Sequence, residues 1–268
     1  MLRSSGLLAL MSLAAATTAQ RSTHTQVTLE TALTAVAPDQ ETVVGVRFKI
    51  DDGWHTYWRN AGESGGPATI KRTAPEGVTF GDILWPLPER IVVSGDTSYG
   101  YRHEVVLLVP LKVASSIKAG TTIEVKAAID YVVCHDLCIT ASASPTMTLT
   151  IGKGTPSPVA DDLAQWQSKV PQPAPPEWKA QVSLAANELM LTVDTGHAET
   201  TASFLPFQNG LIADGASQTA DLAPNGITLH LKKSAIFSKA PASLDGVLVL
   251  PVGAFEVRAP FTNGAMRQ

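Results

Sequence analysis

In Val44-Gly-Val46-Arg-Phe48-Lys-Ile50, and again in Ile123-Glu-Val125-Lys-Ala-Ala-Ile129, apolar side chains recur largely at every second residue. An extended strand turns successive side chains to opposite faces, so each run offers one face to a core and the other to water. That is the signature of antiparallel sheets. Turn signals separate the runs: Asp51-Asp52-Gly53, Pro75-Glu76-Gly77 and Lys118-Ala119-Gly120. No series of strand–helix–strand units appears, which argues against a parallel sheet. Only 16% of residues are charged, while Val, Thr, Ile, Gly and Pro are plentiful, as short strands joined by tight turns require.

The pattern breaks between Thr155 and Trp178, where six prolines (Pro156, Pro158, Pro171, Pro173, Pro175 and Pro176) enclose a short segment. Within it Val159, Leu163, Trp166 and Val170 fall at helical spacing. Ser157 is placed to cap a helix and Pro158 to open its first turn. Strand-like runs then resume at 180–184, 189–193, 227–231, 247–250 and 254–257. The expected fold is all-β: a sandwich over 25–152, a Pro-rich linker with a short helix over 153–178, and a second, smaller β-domain over 179–262.

The N-terminus carries Arg3, an apolar run from Gly6 to Ala16, and Thr17-Thr-Ala19-Gln20. This is the layout of a secretory signal peptide, expected to be cut after Ala19. The run falls short of the ~18 residues that a membrane-spanning helix needs, and it has no cysteine to carry a lipid. The protein is therefore expected to be exported and free of the membrane after cleavage. A net charge of -4 without a basic patch excludes nucleic acid as a natural partner.

The chain has two cysteines, Cys134 and Cys138, in Cys134-His135-Asp136-Leu137-Cys138, directly after the run Ala127 to Val133. Along a straight strand residues four apart lie ~13 Å from each other, whereas a disulfide needs Cα atoms ~4.4–6.8 Å apart. For the two to pair, the chain must fold back at His135-Asp136-Leu137. Three uses of the pair stay open at this point. A structural bridge across so short a loop would add roughly 2 kcal/mol in the chain-entropy model, which a domain of this size hardly needs. Redox exchange would be helped by His135, which when protonated favours a neighbouring thiolate, and opposed by Asp136. Metal ligation by Cys134, His135 and Cys138 would suit Cu(I) or Zn(II), but a closed zinc site wants four ligands. The other histidines, His24, His55, His103, His197 and His230, are scattered along the chain.

Four segments together resemble the N-terminal periplasmic domain of the thiol:disulfide interchange protein DsbD, and more closely the longer variant found in ScsB-type membrane reductases. They are Asp52-Gly-Trp54-His55-Thr-Tyr57-Trp58-Arg-Asn60 with Gly62; Trp85-Pro-Leu-Pro-Glu-Arg90; Gly95-Asp96-Thr-Ser98-Tyr99-Gly-Tyr101; and Tyr131-Val-Val-Cys134-His135-Asp136-Leu-Cys138. The resemblance covers roughly Val27 to Ile151. It implies an immunoglobulin-like β-sandwich in which Cys134 and Cys138 are a redox pair joined reversibly by a disulfide. Such a domain takes electrons from a membrane-embedded dithiol and hands them to periplasmic thioredoxin-like proteins, with no cofactor. By position, Gly95 to Tyr101 would be a loop capping the pair, with His55 and Tyr57 flanking it. Where the shorter DsbD domain carries a phenylalanine in the cap, this chain has Ser98, so shielding would fall to Tyr99 or Tyr101. The sequence holds neither a membrane domain nor a thioredoxin-like domain, so the expectation is a component fed by another protein. From the residues alone, Trp54, Trp58 and Trp85 read as packing residues, Gly95 and Gly100 as turn formers, and Asp96 as a turn cap or a tuner of the thiols. The alternative from another class is a non-enzymatic module that binds copper or contacts other proteins through its sandwich.

Overall fold

The computed structural model describes residues 17–262. The basic start and apolar run of the expected signal peptide lie outside the described residues. No helix among those described is long and apolar enough to cross a membrane.

The first sandwich is made of two sheets. One has the strand order Gln20–Ser22, Thr25–Thr31, Glu41–Ile50, Glu104–Val113, Val78–Phe80. The other runs Ala35–Val36, Thr146–Ile151, Thr122–Cys134, His55–Gly62, Asp96–Arg102, Glu89–Val93, and Cys138–Ala143 and Thr69–Thr73 also pair with Thr122–Cys134. Both runs singled out by alternation are strands here. In Thr122–Cys134, Ile123, Val125, Ala127, Ile129, Tyr131 and Val133 are buried while the residues between them face outward. They meet Val27, Leu29, Val46 and Phe48 of the facing sheet, where Phe48 packs edge-on against Tyr131 at 5.3 Å between ring centres. The Tyr131 hydroxyl bonds Thr25 across this core, so the one polar tip the core holds there is satisfied.

The second sandwich has two four-stranded sheets. One is ordered Gln172–Pro173, Gly253–Pro260, Ser243–Leu250, Ser203–Pro206, the other Lys179–Leu184, Glu188–Asp194, Gly226–Lys232, Thr219–Ala223. All five strand-like runs read from the sequence lie in these strands. Its core is aliphatic apart from Phe204, built on Val182, Leu189, Leu191, Leu229, Leu231, Leu244 and Leu248.

The helix spans Ala160–Ser168, and Val159 rather than Ser157 stands at its N-cap. Ser157 is drawn away because its hydroxyl donates to the Thr31 carbonyl, at 2.6 Å, and only weakly accepts from the Val159 amide. Leu163 packs on Val106 and Leu108 of the first sandwich, a burial that contributes about 2 kcal/mol. A Cβ at Gly45 would come within 2.6 Å of Leu163 Cδ2. Glycine in that strand is thus what lets the helix lie so close. Asp162 adds to the carboxylates of Glu30 and Glu104 around the buried Arg47 guanidinium. The helix is therefore docked on the first sandwich, while Gln172–Pro173, just beyond it, pairs with the second.

The two sandwiches touch along one side of His55–Gly62. Phe207 packs against Trp58 and under the Arg59 guanidinium, 3.9 Å from the ring centre. Leu205 and Val247 of the second sandwich join the core of the first.

Candidate functional site

The strand Thr122–Cys134 ends at one end of the sheet, reverses through His135-Asp136-Leu137, and returns as Cys138–Ala143. Cys134 and Cys138 are register partners of this hairpin, with Cα atoms 4.2 Å apart, and they form a disulfide. The fold-back that pairing demanded is therefore a tight hairpin tip. Its two sulfurs are not equivalent. Cys134 is 2% exposed, held between Cys138 on one side and His55 of the neighbouring strand on the other. Cys138 is exposed.

Tyr57, two residues along from His55, points its side chain at the disulfide. Its hydroxyl lies 2.8 Å from Cys134 Sγ, to which it donates, and 3.4 Å from Cys138 Sγ. Burial pushes the Tyr57 hydroxyl pKa up, with Ser64 pulling the other way, so the group stays protonated and able to donate. His55 stacks edge-on against Tyr57 at 5.2 Å. Its pKa is lowered, first by burial and then by the nearby positive charges of Arg102 and His135, which leaves the imidazole neutral beside the sulfur.

The outer rim is aromatic. His24 stacks on Trp54 at 3.7 Å between ring centres, and Trp54 in turn lies 5.8 Å from the His135 ring. His135 Nδ1 meets the Asp136 carboxylate at 2.9 Å. Leu137, at the hairpin tip, is 78% exposed, an apolar side chain set in water immediately beside Cys138.

The residues expected to cap the pair are elsewhere. Asp96–Arg102 is a strand laddered on both sides, to Glu89–Val93 and to His55–Gly62. Tyr99 and Tyr101 are 3% and 4% exposed and point into the core. Tyr101 donates to the Pro86 carbonyl and Tyr99 faces Trp58 and Asp214. A backbone bonded on both edges has no freedom to act as a flap, and a large aromatic side chain gains more in the core than over an exposed sulfur. The cap expected at Gly95–Tyr101 is thus corrected to a core strand. Asp96 stands exposed at its hairpin end, bonded to neither sulfur among the described residues. Ser98 does bear on the site indirectly, through a 2.9 Å bond to Ser64.

The element that does cover the site was not picked out from the sequence. It is the turn Glu63-Ser64-Gly65-Gly66-Pro67. A Cβ at Gly65, whose φ is +77°, would overlap the Tyr57 ring. The turn backbone therefore lies directly on the ring that reaches the disulfide. Two adjacent glycines after a strand were the only available signal, and they read equally as an ordinary turn. As for the metal alternative, both cysteine sulfurs are joined to each other here and His135 is turned to Asp136, and no group of three or more potential ligands occurs among the described residues.

The sequence model of the family described as "Thiol:disulfide interchange protein DsbD, N-terminal" matches residues 23–149, the segment that contains the hairpin, Tyr57 and His55. Over residues 23–149, just under half of the chain, the first sandwich is similar to the DsbD N-terminal family. The crystal structure of the N-terminal periplasmic domain of ScsB from Proteus mirabilis shares the fold of the whole described chain. Its TM-score is 0.66 at 18% identity, over 90% of this chain and 94% of that one. The likeness thus extends across the second sandwich, which the family match leaves out. No curated protein sequence matches the chain.

Proposed function

We propose that this protein is an exported thiol–disulfide exchange module that relays electrons through Cys134 and Cys138 to or from thioredoxin-like proteins, in the periplasm. The observation that carries this reading is the asymmetry of the pair: one cysteine exposed at a hairpin tip, the other buried under a tyrosine hydroxyl. A bridge that served stability alone would gain little here, since the hairpin ladder already aligns Cys134 with Cys138 and the closed loop is short.

In the reducing direction the Cys138 thiolate attacks one sulfur of a partner disulfide. A mixed disulfide forms, the partner's sulfur–sulfur bond breaks, and the partner's other sulfur leaves as a thiolate that takes up a proton. Cys134 then loses its proton and attacks Cys138 Sγ. This re-forms the Cys134–Cys138 bond and releases the second partner thiol. Two electrons and two protons pass to the partner. The Tyr57 hydroxyl, already directed at Cys134 Sγ, stabilises the charge on that sulfur while it is a thiolate. Leu137 and the Trp54 rim offer an apolar contact beside the exposed sulfur. The proposed division of the chain is the redox domain at 25–152, the connection at 153–178 and the second β-domain at 179–262.

The test is to equilibrate the full chain over a series of glutathione or dithiothreitol ratios, trap thiols, and then mix the reduced protein with an oxidised thioredoxin-like protein. A single two-electron transition and loss of partner disulfide are expected. Thiols that both persist under mild oxidation would end the exchange reading. A potential below about -300 mV would show a structural bridge instead.

A further inference from the structure

The turn that lies on Tyr57 is held from two directions. From within the first sandwich, the Glu63 amide donates to the Thr97 carbonyl at 2.9 Å, and the Thr97 amide donates to the Glu63 carboxylate at 2.7 Å. Ser64 and Ser98 bond through their hydroxyls. The second set of contacts comes from the segment that links Ser203–Pro206 to Thr219–Ala223 in the second sandwich, and from the end of the first of these strands. The Asn209 side-chain amide donates to the Gly62 carbonyl at 2.7 Å. The Asn60 side-chain Nδ2 donates to the Pro206 carbonyl at 2.8 Å, while its Oδ1 accepts from the Gly62 amide. Gly215 lies so near that a Cβ there would sit 3.3 Å from both carboxylate oxygens of Glu63, and Arg90 clasps the Gly215 carbonyl at 2.9 Å. Both peptide groups of Gly62, the residue from which the turn departs, are thus bonded within a network anchored on the second sandwich.

We propose that the second β-domain is a positioning element for the redox site: through Asn209 and Gly215 it holds the 63–67 turn on Tyr57 and so sets how readily the sulfur of Cys134 is reached. The chain of contact is short and continuous. It runs from Asn209 to Gly62, along the turn to Gly65, across the ring of Tyr57, and by the Tyr57 hydroxyl to Cys134 Sγ. Nothing in the second sandwich touches sulfur itself, so its effect is on access to Cys134 and not on the exchange chemistry. The proposal rests on the exchange reading for its purpose, but its test does not need a protein partner.

The experiment uses the full chain with Cys138→Ser, which leaves Cys134 as its one thiol, and follows alkylation by iodoacetamide across pH. The plateau at alkaline pH gives the rate per thiolate, free of any change in thiol pKa. Asn209→Ala and Gly215→Val, both at exposed positions, should each raise that plateau about threefold to tenfold, the first by the shift in an opening equilibrium that losing one ordinary hydrogen bond brings and the second by crowding the Glu63 carboxylate. Gly65→Ala, which cannot lie on the ring, should raise it further. In the Gly65→Ala background neither second-domain variant should add anything. Unchanged plateaus in variants whose near-ultraviolet circular dichroism is native would overturn the proposal, as would gains that add in full to that of Gly65→Ala. Loss of the folded signal in both second-domain variants would overturn it too, since exposed residues that only steer a turn do not hold a domain together. Failure of the exchange reading shows differently: a thioredoxin-like protein would not be reduced, and the alkylation rates would stand as measured.

Discussion

The first sandwich closes one end of a sheet with a disulfide hairpin, a buried tyrosine and a rim of stacked rings, whereas the second, built from two four-stranded sheets around its own core, carries no cysteine. Among its titratable groups, His230 lies between Glu188 and Asp221 near the surface, and Asp214 faces the first sandwich. On the proposed reading the same architecture serves chemistry in one half and support in the other. What separates them is a few side chains at one strand end and one turn, because a sandwich supplies a rigid frame and leaves function to what is placed on it.

The sharpest way to break this contrast is to remove the sulfurs. Cys138→Ser should abolish exchange with a thioredoxin-like protein outright. Cys134→Ser should still attack and then stall as a mixed disulfide, seen as a partner adduct on a non-reducing gel. Stalling by Cys138→Ser instead would reverse the roles given to the two sulfurs. Next in size is separation of the halves. Expressed as residues 17–170 and 171–262, each should give a cooperative thermal transition, with the thiol chemistry in the first. That piece should melt lower than it does in the full chain, because Trp58 loses Phe207 and the core loses Leu205 and Val247. A first piece that does not fold would make the chain one continuous unit.

A smaller effect should follow from Tyr57→Phe, which keeps the ring and removes the donor to Cys134. A hydrogen bond to a thiolate favours the charged form, so its loss should raise the Cys134 thiol pKa by about one unit, read from thiolate absorbance in the Cys138→Ser background. An unchanged pKa would mean that the hydroxyl does not support the charge. The smallest effect concerns the supporting half. Burial, and after it the neighbouring Glu63, push the Asp214 carboxyl up to about 6, although Tyr99 and Arg90 pull it down. Its folded pKa lies above its unfolded one, so the native state binds more protons between about pH 4 and 6 and loses stability as pH rises through that window. Asp214→Asn should accordingly melt a few degrees higher than the parent at pH 8, about 2 to 4 °C per kcal/mol gained, and alike at pH 4. A gain that is the same at both pH values would assign the effect to packing.

The strands that could be read from sequence were those with strict alternation and a long run, such as Thr122–Cys134 and the five of the second sandwich. Short or irregular strands escaped. Ser203–Pro206 has three of its four residues buried in a row, and Thr219–Ala223 is an edge strand that is mostly exposed, so neither shows a period. The pair of cysteines is legible because residue type alone points to sulfur chemistry, whereas His55 and Tyr57 are placed beside it only by the family resemblance, since by residue type His55 is one of several scattered histidines. The cap was misplaced for a physical reason. Gly95 to Tyr101 has the composition of a loop, but whether a segment is a loop depends on partners far along the chain, here Glu89–Val93 and His55–Gly62 on its two edges. Gly65 was invisible for the converse reason: its role is defined by a ring eight residues earlier that only the folded strand brings beneath it.

The hairpin register has one further consequence. Cys134 and Cys138 sit at the end of a ladder that continues residue by residue to Ile129 and Ala143, so opening the sulfur–sulfur bond leaves the backbone on either side fastened by its own amides. The ladder predicts nearly the same shape at the tip for the oxidised and reduced chains. A partner has little to recognise in one redox state over the other. In the proposed exchange, the direction in which electrons travel is left to the relative abundance and potentials of donor and acceptor, and the protein would act as a reversible contact in a circuit, without a built-in valve.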